Sequence, residues 1–478
     1  MTIKQFIAGQ FTPSHSQDLL SVYNPATGCA YAHCPAGHAQ DIDNAVSAAQ
    51  LAFPAWSSLK PSQRAHWLNK LADGIAARFD EFVHCESQDT GKPLAIVRDF
   101  EMPRVIENFR YFAAACQQCL DQAFHSEAGL NYTVHQPLGV VGVISPWNLP
   151  LYLLSWKIAP ALAAGNCVIA KPSEITPMSA ALLAEVCMAI GFPDGVLNIV
   201  HGLGETVGSS IVAHPNVSAI SFTGSTRVGH AIALECAKSF KKVTLEMGGK
   251  NPAIVFDDAP KQNLVSNIAR LSFQNSGQIC LCGSRILVHA SIYAQFKVDF
   301  VQHAQALIIG DPSHPNTRLG PVMSKAHFDK ILDYIALAKQ EGGQILCGGE
   351  SLQLAGELVG GWFIAPTVIE GLPMNSRFCQ EEVFGPVVSL HAFENEAEAL
   401  ALANDSRYGL AASVWSTNTQ RAQRMAMALD TGIVWINTWL QRDLRTPFGG
   451  MKQSGYGREG GVEALKFFTE SKTISIGA

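Results

Sequence analysis

The sequence predicts an α/β protein built on a parallel sheet of the kind that binds nucleotides at the carboxyl ends of its strands. Three observations predict it. From residue 152 onward, helix-periodic and strand-like stretches alternate, a pattern that packs as a parallel sheet with right-handed crossovers. A second α/β alternation runs from about 250 to 455. The chain also has 478 residues, more than one ordinary core holds, so two or three domains are expected.

Taken in order, residues 41–56, 61–86 and 97–120 carry helical periodicity. "LNYTVHQPLGVVGVISP" alternates and is rich in β-branched residues, which predicts strand, turn, strand. "LLSWKIAPALAAG" predicts a helix stopped by Gly165, and "NCVIAK" a buried strand. "TPMSAALLAEVCMAIG" predicts a helix with Thr176 as N-cap, Pro177 at its first position and Gly191 at its end. "GVLNIV", "ETVGSSIVAH", "VSAISF" and "STRVGHAIALECAKSF" continue as strand, helix, strand, helix. Beyond them come a helix over 260–274 and the strands "PAIVF", "SRILVHA" and "TGIVWIN". The alternating tail "FFTESKTISI" reads as an edge strand able to pair with another subunit.

Apolar residues make up 47% and charged residues 15%, the balance of a compact enzyme-like protein rather than a disordered one. A net charge of −6 without basic runs gives no sign of a nucleic-acid or anionic-membrane partner. The N-terminus lacks the apolar core of a secretory signal, and "LGVVGVISPWNLPLYLLSW" is a poor membrane span because Pro146, Asn148 and Pro150 interrupt it. A cytoplasmic location is therefore expected, with the twelve cysteines as reduced thiols. Cys116 and Cys119 form a CxxC with no second pair at zinc-site spacing, so helix interior is expected and no metal site.

Five motifs carry chemistry. In "SFTGSTRVG" a strand runs into Gly224 and Ser225, where a helix starts; its free N–H groups suit a phosphate, and a tight turn with a serine cap reads equally well. "HGLGETVG", which contains Gly204, is weak evidence alone. "AKPSE" puts Lys171 and Glu174 at a strand's C-terminal end, where they can bond ribose hydroxyls. A carboxylate there repels a 2′-phosphate and favours NAD over NADP; a solvated charge pair is the alternative. Glu246 of "LEMGGKNP" ends an apolar strand, surroundings that raise a carboxyl pKa and suit a base, or hold a carboxylate bonded to backbone amides. Asn148 of "PWNLP" is held between two prolines, either to stabilise an oxyanion or to cap a turn. Cys280 of "GQIC" follows a glycine-containing turn; as a nucleophile it needs partial access and a lowered pKa, and Cys282 reads as packing.

In order, "PWNLP", "KPSE", "FTGS", "LEMGGKNP", "NSGQIC", "EEVFGPV" and "PFGGMKQSGYGRE" closely resemble the aldehyde dehydrogenase superfamily over nearly the whole chain. The resemblance implies a Rossmann-like NAD-binding domain at 1–120 and 139–245 and an α/β catalytic domain at 246–455. It adds a small β oligomerisation flap at 121–138 and 456–478, and a homodimer or homotetramer. It implies that Cys280 attacks an aldehyde, that Asn148 and the Cys280 N–H hold the oxyanion, and that Glu246 activates the water that releases the acid. Glu246 also favours hydrolysis over transfer to coenzyme A. Glu382 and Phe384 would position the nicotinamide half of NAD, Lys171 and Glu174 the adenosine ribose, Gly224 and Ser225 the pyrophosphate, and Gly204 would lie near the adenine. Trp147 and Lys157 match further positions near the cofactor.

"RDLRTPFGG", "CLCGSRILV" and "EMPRVIENFRYF" resemble the branch acting on 2-aminomuconate and 2-hydroxymuconate semialdehydes. Arg104 and Arg442 can clamp a distal carboxylate, since a guanidinium in a tunnel is costly unless the substrate supplies its partner. The alternatives are that Arg442 pairs with Asp443, that Arg445 is the ligand, or that the substrate is another aliphatic or aromatic aldehyde. Thr438 and Gln441 depart from the relatives' usual residues and can line the tunnel.

Overall fold

A computed structural model describes residues 1–118 and 121–477. Two large sheets form its frame. Five parallel strands make the centre of the first, in the order Leu197–Ile199, Cys167–Lys171, Val140–Ile144, Val217–Thr223 and Lys242–Glu246. Antiparallel edges close it, Gln5–Ile7 with Gln10–Thr12 on one side and Gly455–Tyr456 on the other. The second sheet runs Thr367–Glu370, Val387–Phe393, Gly283–His289, Asn251–Val255, Ala411–Trp415 and Ile433–Ile436 in parallel, with Gln344–Cys347 antiparallel at one edge. Central strands such as Val140–Ile144 and Ala411–Trp415 are buried along their whole length, as helices on both faces require. The helix Pro150–Ala163, apolar except at Ser155 and Lys157, is also buried throughout.

Most elements fall where periodicity places them, and the exceptions have local causes. The stretch 61–86 forms two helices, Pro61–Ala77 and Phe79–Thr90. Arg78 leaves helical geometry between them and bridges Glu81 and Glu185. Over 97–118 the turn Val97–Glu101 is widened before Met102–Ala115, because Pro103 has no N–H to give back to the preceding turn. Cys119 of the CxxC lies outside the described residues, and Cys116 is buried at a helix end. Thr176 is not the N-cap: the helix starts at Met178, whose N–H donates to the Asp89 carboxylate at 3.0 Å, and the Thr176 hydroxyl donates to the Trp147 carbonyl. Ser225 does cap its helix, Thr226–Ala237. The helix expected at 260–274 is Leu264–Phe273.

The tail strand Thr469–Gly477 pairs antiparallel with Gly129–Pro137 over nine residues, and Ala123–Ser126 adds the third strand. The segment 456–478 therefore divides. Tyr456 belongs to the first sheet, Gly461–Phe467 is a helix against Pro150–Ala163, and pairing with the small sheet begins at Thr469. Asn166 holds this junction. Its carbonyl oxygen accepts from the N–H groups of Leu138 and Gly139, and its amide donates to the carbonyls of Ala161 and Phe468.

Replacing Asn166 with Ala takes the acceptor from the part-buried N–H groups of Leu138 and Gly139 and a donor from the carbonyls of Ala161 and Phe468. The substitution is expected to cost about 3 kcal/mol, read as a lower midpoint in urea denaturation of the full chain.

Candidate active site

The first sheet reverses its strand order between Val140–Ile144 and Val217–Thr223, which opens a crevice at their carboxyl ends. The residues that follow these strands, Pro146–Leu149, Thr223–Ser225 and Glu246–Gly248, line one cavity together with Cys280, Glu382, Phe384 and Arg442. Only four residues separate Glu246 from the second sheet at Asn251, so the two sheets face each other across this cavity.

Cys280 arrives on a turn of unusual conformation. Asn275, Ser276 and Gly277 are all left-handed, with φ of 54°, 53° and 71°. A non-glycine residue costs about 1–2 kcal/mol there, and a Cβ on Gly277 would lie 2.0 Å from the Gly385 carbonyl oxygen. Side chains hold the turn. Asn275 Nδ2 donates to the Asn148 carbonyl, Ser276 Oγ to the Gly320 carbonyl, and Gln278 is held between Asn275 and the N–H of Met323. Beyond Cys280, Asn251 Nδ2 donates to the carbonyls of Cys280 and Cys282, and the Trp439 indole donates to that of Leu281. Cys282 is buried in packing.

Asn148 is buried, and its Nδ2 donates to the Gln278 carbonyl at 2.9 Å. That bond orients the amide and leaves a second N–H for a ligand. The Asn148 carbonyl also accepts from Lys92 Nζ, whose charge is paired with buried Glu101 at 2.6 Å.

Glu246 is buried, and neither carboxylate oxygen has a protein partner among the described residues. Burial and the nearby Glu459 push its pKa well above the usual carboxyl range. Glu459 is itself bonded to Lys157 and Ser221, so Lys157 sits in a buried pair at the cavity's edge. Cys280 is half-buried, which gives the access a nucleophile needs. Its pKa is raised, not lowered: burial, then the Glu382 and Glu246 carboxylates, push the thiol up to about 12 against the opposing Arg442.

At the strand ends, Lys171 Nζ donates to the Glu174 carboxylate at 3.2 Å, so both side chains present polar atoms where a ribose would lie. A Cβ on Gly224 would meet the Phe222 ring at 2.4 Å, and Ser225 opens a twelve-residue helix whose first N–H groups suit a pyrophosphate. Gly204 is exposed and begins a widened turn, Gly204–Gly208, whose far end at Val207 and Gly208 is buried. Glu382 accepts from the Gly249 N–H at 3.1 Å, and burial raises its pKa against the pull of Lys330 and Lys250. Phe384, at φ 62°, stacks edge-on to Trp147 with ring centres 5.4 Å apart. This donor set fits a dinucleotide with free ribose hydroxyls.

The Arg442 guanidinium lies 4.1 Å over the Phe448 ring and 5.3 Å over Trp156, and Nη1 donates to the Tyr152 hydroxyl at 3.1 Å. It has no carboxylate partner within ion-pair distance among the described residues. Asp443 pairs instead with Arg445 at 2.6 Å on the surface, which removes Arg445 as a ligand and Asp443 as the partner of Arg442. Arg104 reaches the Arg442 carbonyl at 3.5 Å and Glu107 at 3.7 Å but is not among the residues lining the cavity. Gln441 is exposed, with its carbonyl accepting from the Trp435 indole.

Sequence reasoning did not single out Lys92, Glu101, Tyr152, His327 or Glu459. The "LPLYLLSW" run reads as core, and the partners of the others lie 9 to 302 residues away. Burial pushes the His327 pKa down to about 4, so the ring is neutral at pH 7 and its Nε2–H donates to the Phe384 carbonyl at 2.7 Å.

A model of the aldehyde dehydrogenase family matches residues 11–474. The chain is 46% identical over 480 residues to 2-aminomuconic semialdehyde dehydrogenase of Danio rerio, covering 100% of this chain and 98% of that one. It is 44% identical to 2-hydroxymuconic semialdehyde dehydrogenase of Pseudomonas sp. (strain CF600), covering 99% of each. The NAD+ complex of an aldehyde dehydrogenase from Bacillus cereus superposes with a TM-score of 0.97 at 38% identity, covering 100% of this chain and 97% of that one.

In the cofactor-free protein, alkylation of Cys280 by iodoacetamide, followed on its own peptide, is expected to rise about ten-fold per pH unit from about pH 7 to 10 as thiolate forms. Glu382→Gln removes the charge that raises this thiol most after burial, and the profile should move to lower pH.

Proposed function

The chain belongs to the aldehyde dehydrogenase family and is an NAD-dependent oxidoreductase, and from that premise we propose that its substrate is 2-aminomuconate or 2-hydroxymuconate 6-semialdehyde, oxidised to the dicarboxylic acid. The observation that carries this reading is Arg442. It is a cation on aromatic walls, without a carboxylate partner among the described residues, in the same cavity as Cys280. A substrate carboxylate supplies what the guanidinium lacks. Arg104, against the Arg442 backbone, is proposed as the second cation of the clamp. The names of the relatives agree with this substrate class.

In the proposed mechanism the Cys280 thiol gives its proton to water, and the thiolate sulfur adds to the aldehyde carbon. The free N–H of the Asn148 amide and the Cys280 backbone N–H hold the oxyanion. When bound, NAD supplies a pyridinium charge that favours the thiolate and accepts the hydride whose loss turns the Cys280 adduct into a thioester. Lys171 and Glu174 would hold its adenosine ribose, Gly224 and Ser225 its pyrophosphate, and Glu382, Phe384 and Trp147 its nicotinamide half, with the adenine near Gly204. Glu246, once ionised, takes a proton from water as that water attacks the thioester carbonyl. The acid leaves and Cys280 is restored. A raised Glu246 pKa makes this step rise with pH above the ordinary carboxyl range.

We infer also a homo-oligomer. The three-stranded flap has two unpaired edges, Thr469–Gly477 and Ala123–Ser126, with Phe124 and Ile476 exposed, a surface suited to pairing between copies. No helix among the described residues is long and apolar enough to cross a membrane.

NADH formation tests the substrate. Wild-type protein should favour 2-hydroxymuconate semialdehyde over a carboxylate-free aldehyde of matched length, and Arg442→Ala should lower that ratio of kcat/KM about 100-fold. Equal rates for the two aldehydes, unmoved by the substitution, would overturn the reading. Glu246→Gln should leave one rapid turnover of NADH per active site and slow the steady state about 100-fold.

A further inference from the structure

We propose that the Tyr152 hydroxyl donates to the distal carboxylate of the substrate, forming with Arg442 a donor-only end to the cavity that sets specificity. This rests on the carboxylate reading above and deepens it.

Tyr152 lies in the first turn of the helix Pro150–Ala163, directly after the "PWNLP" turn that carries Asn148. Its side chain is buried, its ring stacks on Phe100 with centres 6.1 Å apart, and it lines the cavity with Arg442. The hydroxyl oxygen accepts from Arg442 Nη1 at 3.1 Å. The hydroxyl proton has no protein acceptor among the described residues. A tyrosine hydroxyl is both donor and acceptor, whereas a guanidinium only donates. With the oxygen already accepting from Arg442, what this pair mainly offers a ligand is hydrogens to donate. The surrounding Phe100, Trp156 and Phe448 rings offer no acceptor in return.

A buried donor without an acceptor is costly. A ligand with several lone pairs on adjacent oxygens satisfies both donors together, and a carboxylate has that geometry. A carboxylate-free aldehyde leaves both unsatisfied, so the pair discriminates against it as well as binding the acid. Helix and loop supply one donor each, and Tyr152 shares its helix start with the oxyanion residue. The site thus relates the two ends of the substrate through a rigid element.

The test is Tyr152→Phe, which keeps the ring and its stacking and removes only the hydroxyl. Thermal midpoints check that the variant is folded. Steady-state kinetics with NAD would be run on 2-hydroxymuconate semialdehyde and on the carboxylate-free aldehyde of matched length, and inhibition by the dicarboxylate product would be measured against both proteins. A preference for the semialdehyde that falls about ten-fold in Tyr152→Phe, through KM more than kcat, with the product's inhibition constant rising by a similar factor, supports the proposal. A wild-type preference that the variant keeps in full, with unchanged product inhibition, overturns it while the Arg442 reading stands. A wild-type enzyme without preference overturns both. If the variant loses kcat equally on both aldehydes, the hydroxyl serves packing and the proposal fails.

Discussion

The candidate site is tied together by the bonds that Asn148 makes across the crevice. Its amide donates to the Gln278 carbonyl, and its own carbonyl accepts from Asn275 and from Lys92. Asn148 follows a strand of the first sheet, and Gln278 and Asn275 belong to the turn that delivers Cys280 beside the second. The same few bonds thus orient the Asn148 amide, support a left-handed turn that is unfavourable by itself, and tie a strand end of the first sheet to the turn beside the second. The Lys92–Glu101 pair lies behind them as a buried ion pair. Breaking such a pair exposes an uncompensated charge, so it holds position more than it adds stability.

The electrostatics of the cavity follow from what is missing. Among the described residues Glu246 has no hydrogen-bond partner, the carboxylates near Cys280 outweigh Arg442, and Arg442 rests on rings instead of an acid. In the proposed mechanism each imbalance is the complement of a ligand: a water or its proton at Glu246, the positive charge of an oxidised cofactor at Cys280, and an anion at Arg442. A site already neutralised by its own residues would be more stable and would have less to offer a ligand. By contrast, several charges outside the cavity are paired, as Asp443 with Arg445 and Arg78 with Glu81 and Glu185 are.

By itself, the sequence determined the α/β class, the order of most elements, the family and the identity of the candidate nucleophile, base and oxyanion donor. Those depend on local periodicity and on short motifs whose residues are neighbours in the chain. It did not determine element boundaries where a partner from elsewhere intervenes. Met178, not Thr176, begins its helix because Asp89 arrives to cap it, and the helix 61–86 breaks at Arg78, which bonds to Glu81 and the distant Glu185. Nor could it predict that the Cys280 thiol is raised, since that depends on burial and on a carboxylate about a hundred residues further on. Only the tertiary structure separates the surroundings of Arg442 and Arg445, which lie three positions apart on one loop. One turns onto Trp156 and Phe448 and the other onto Asp443. Both have the same side chain, and what separates them is the surface each one meets when the chain folds.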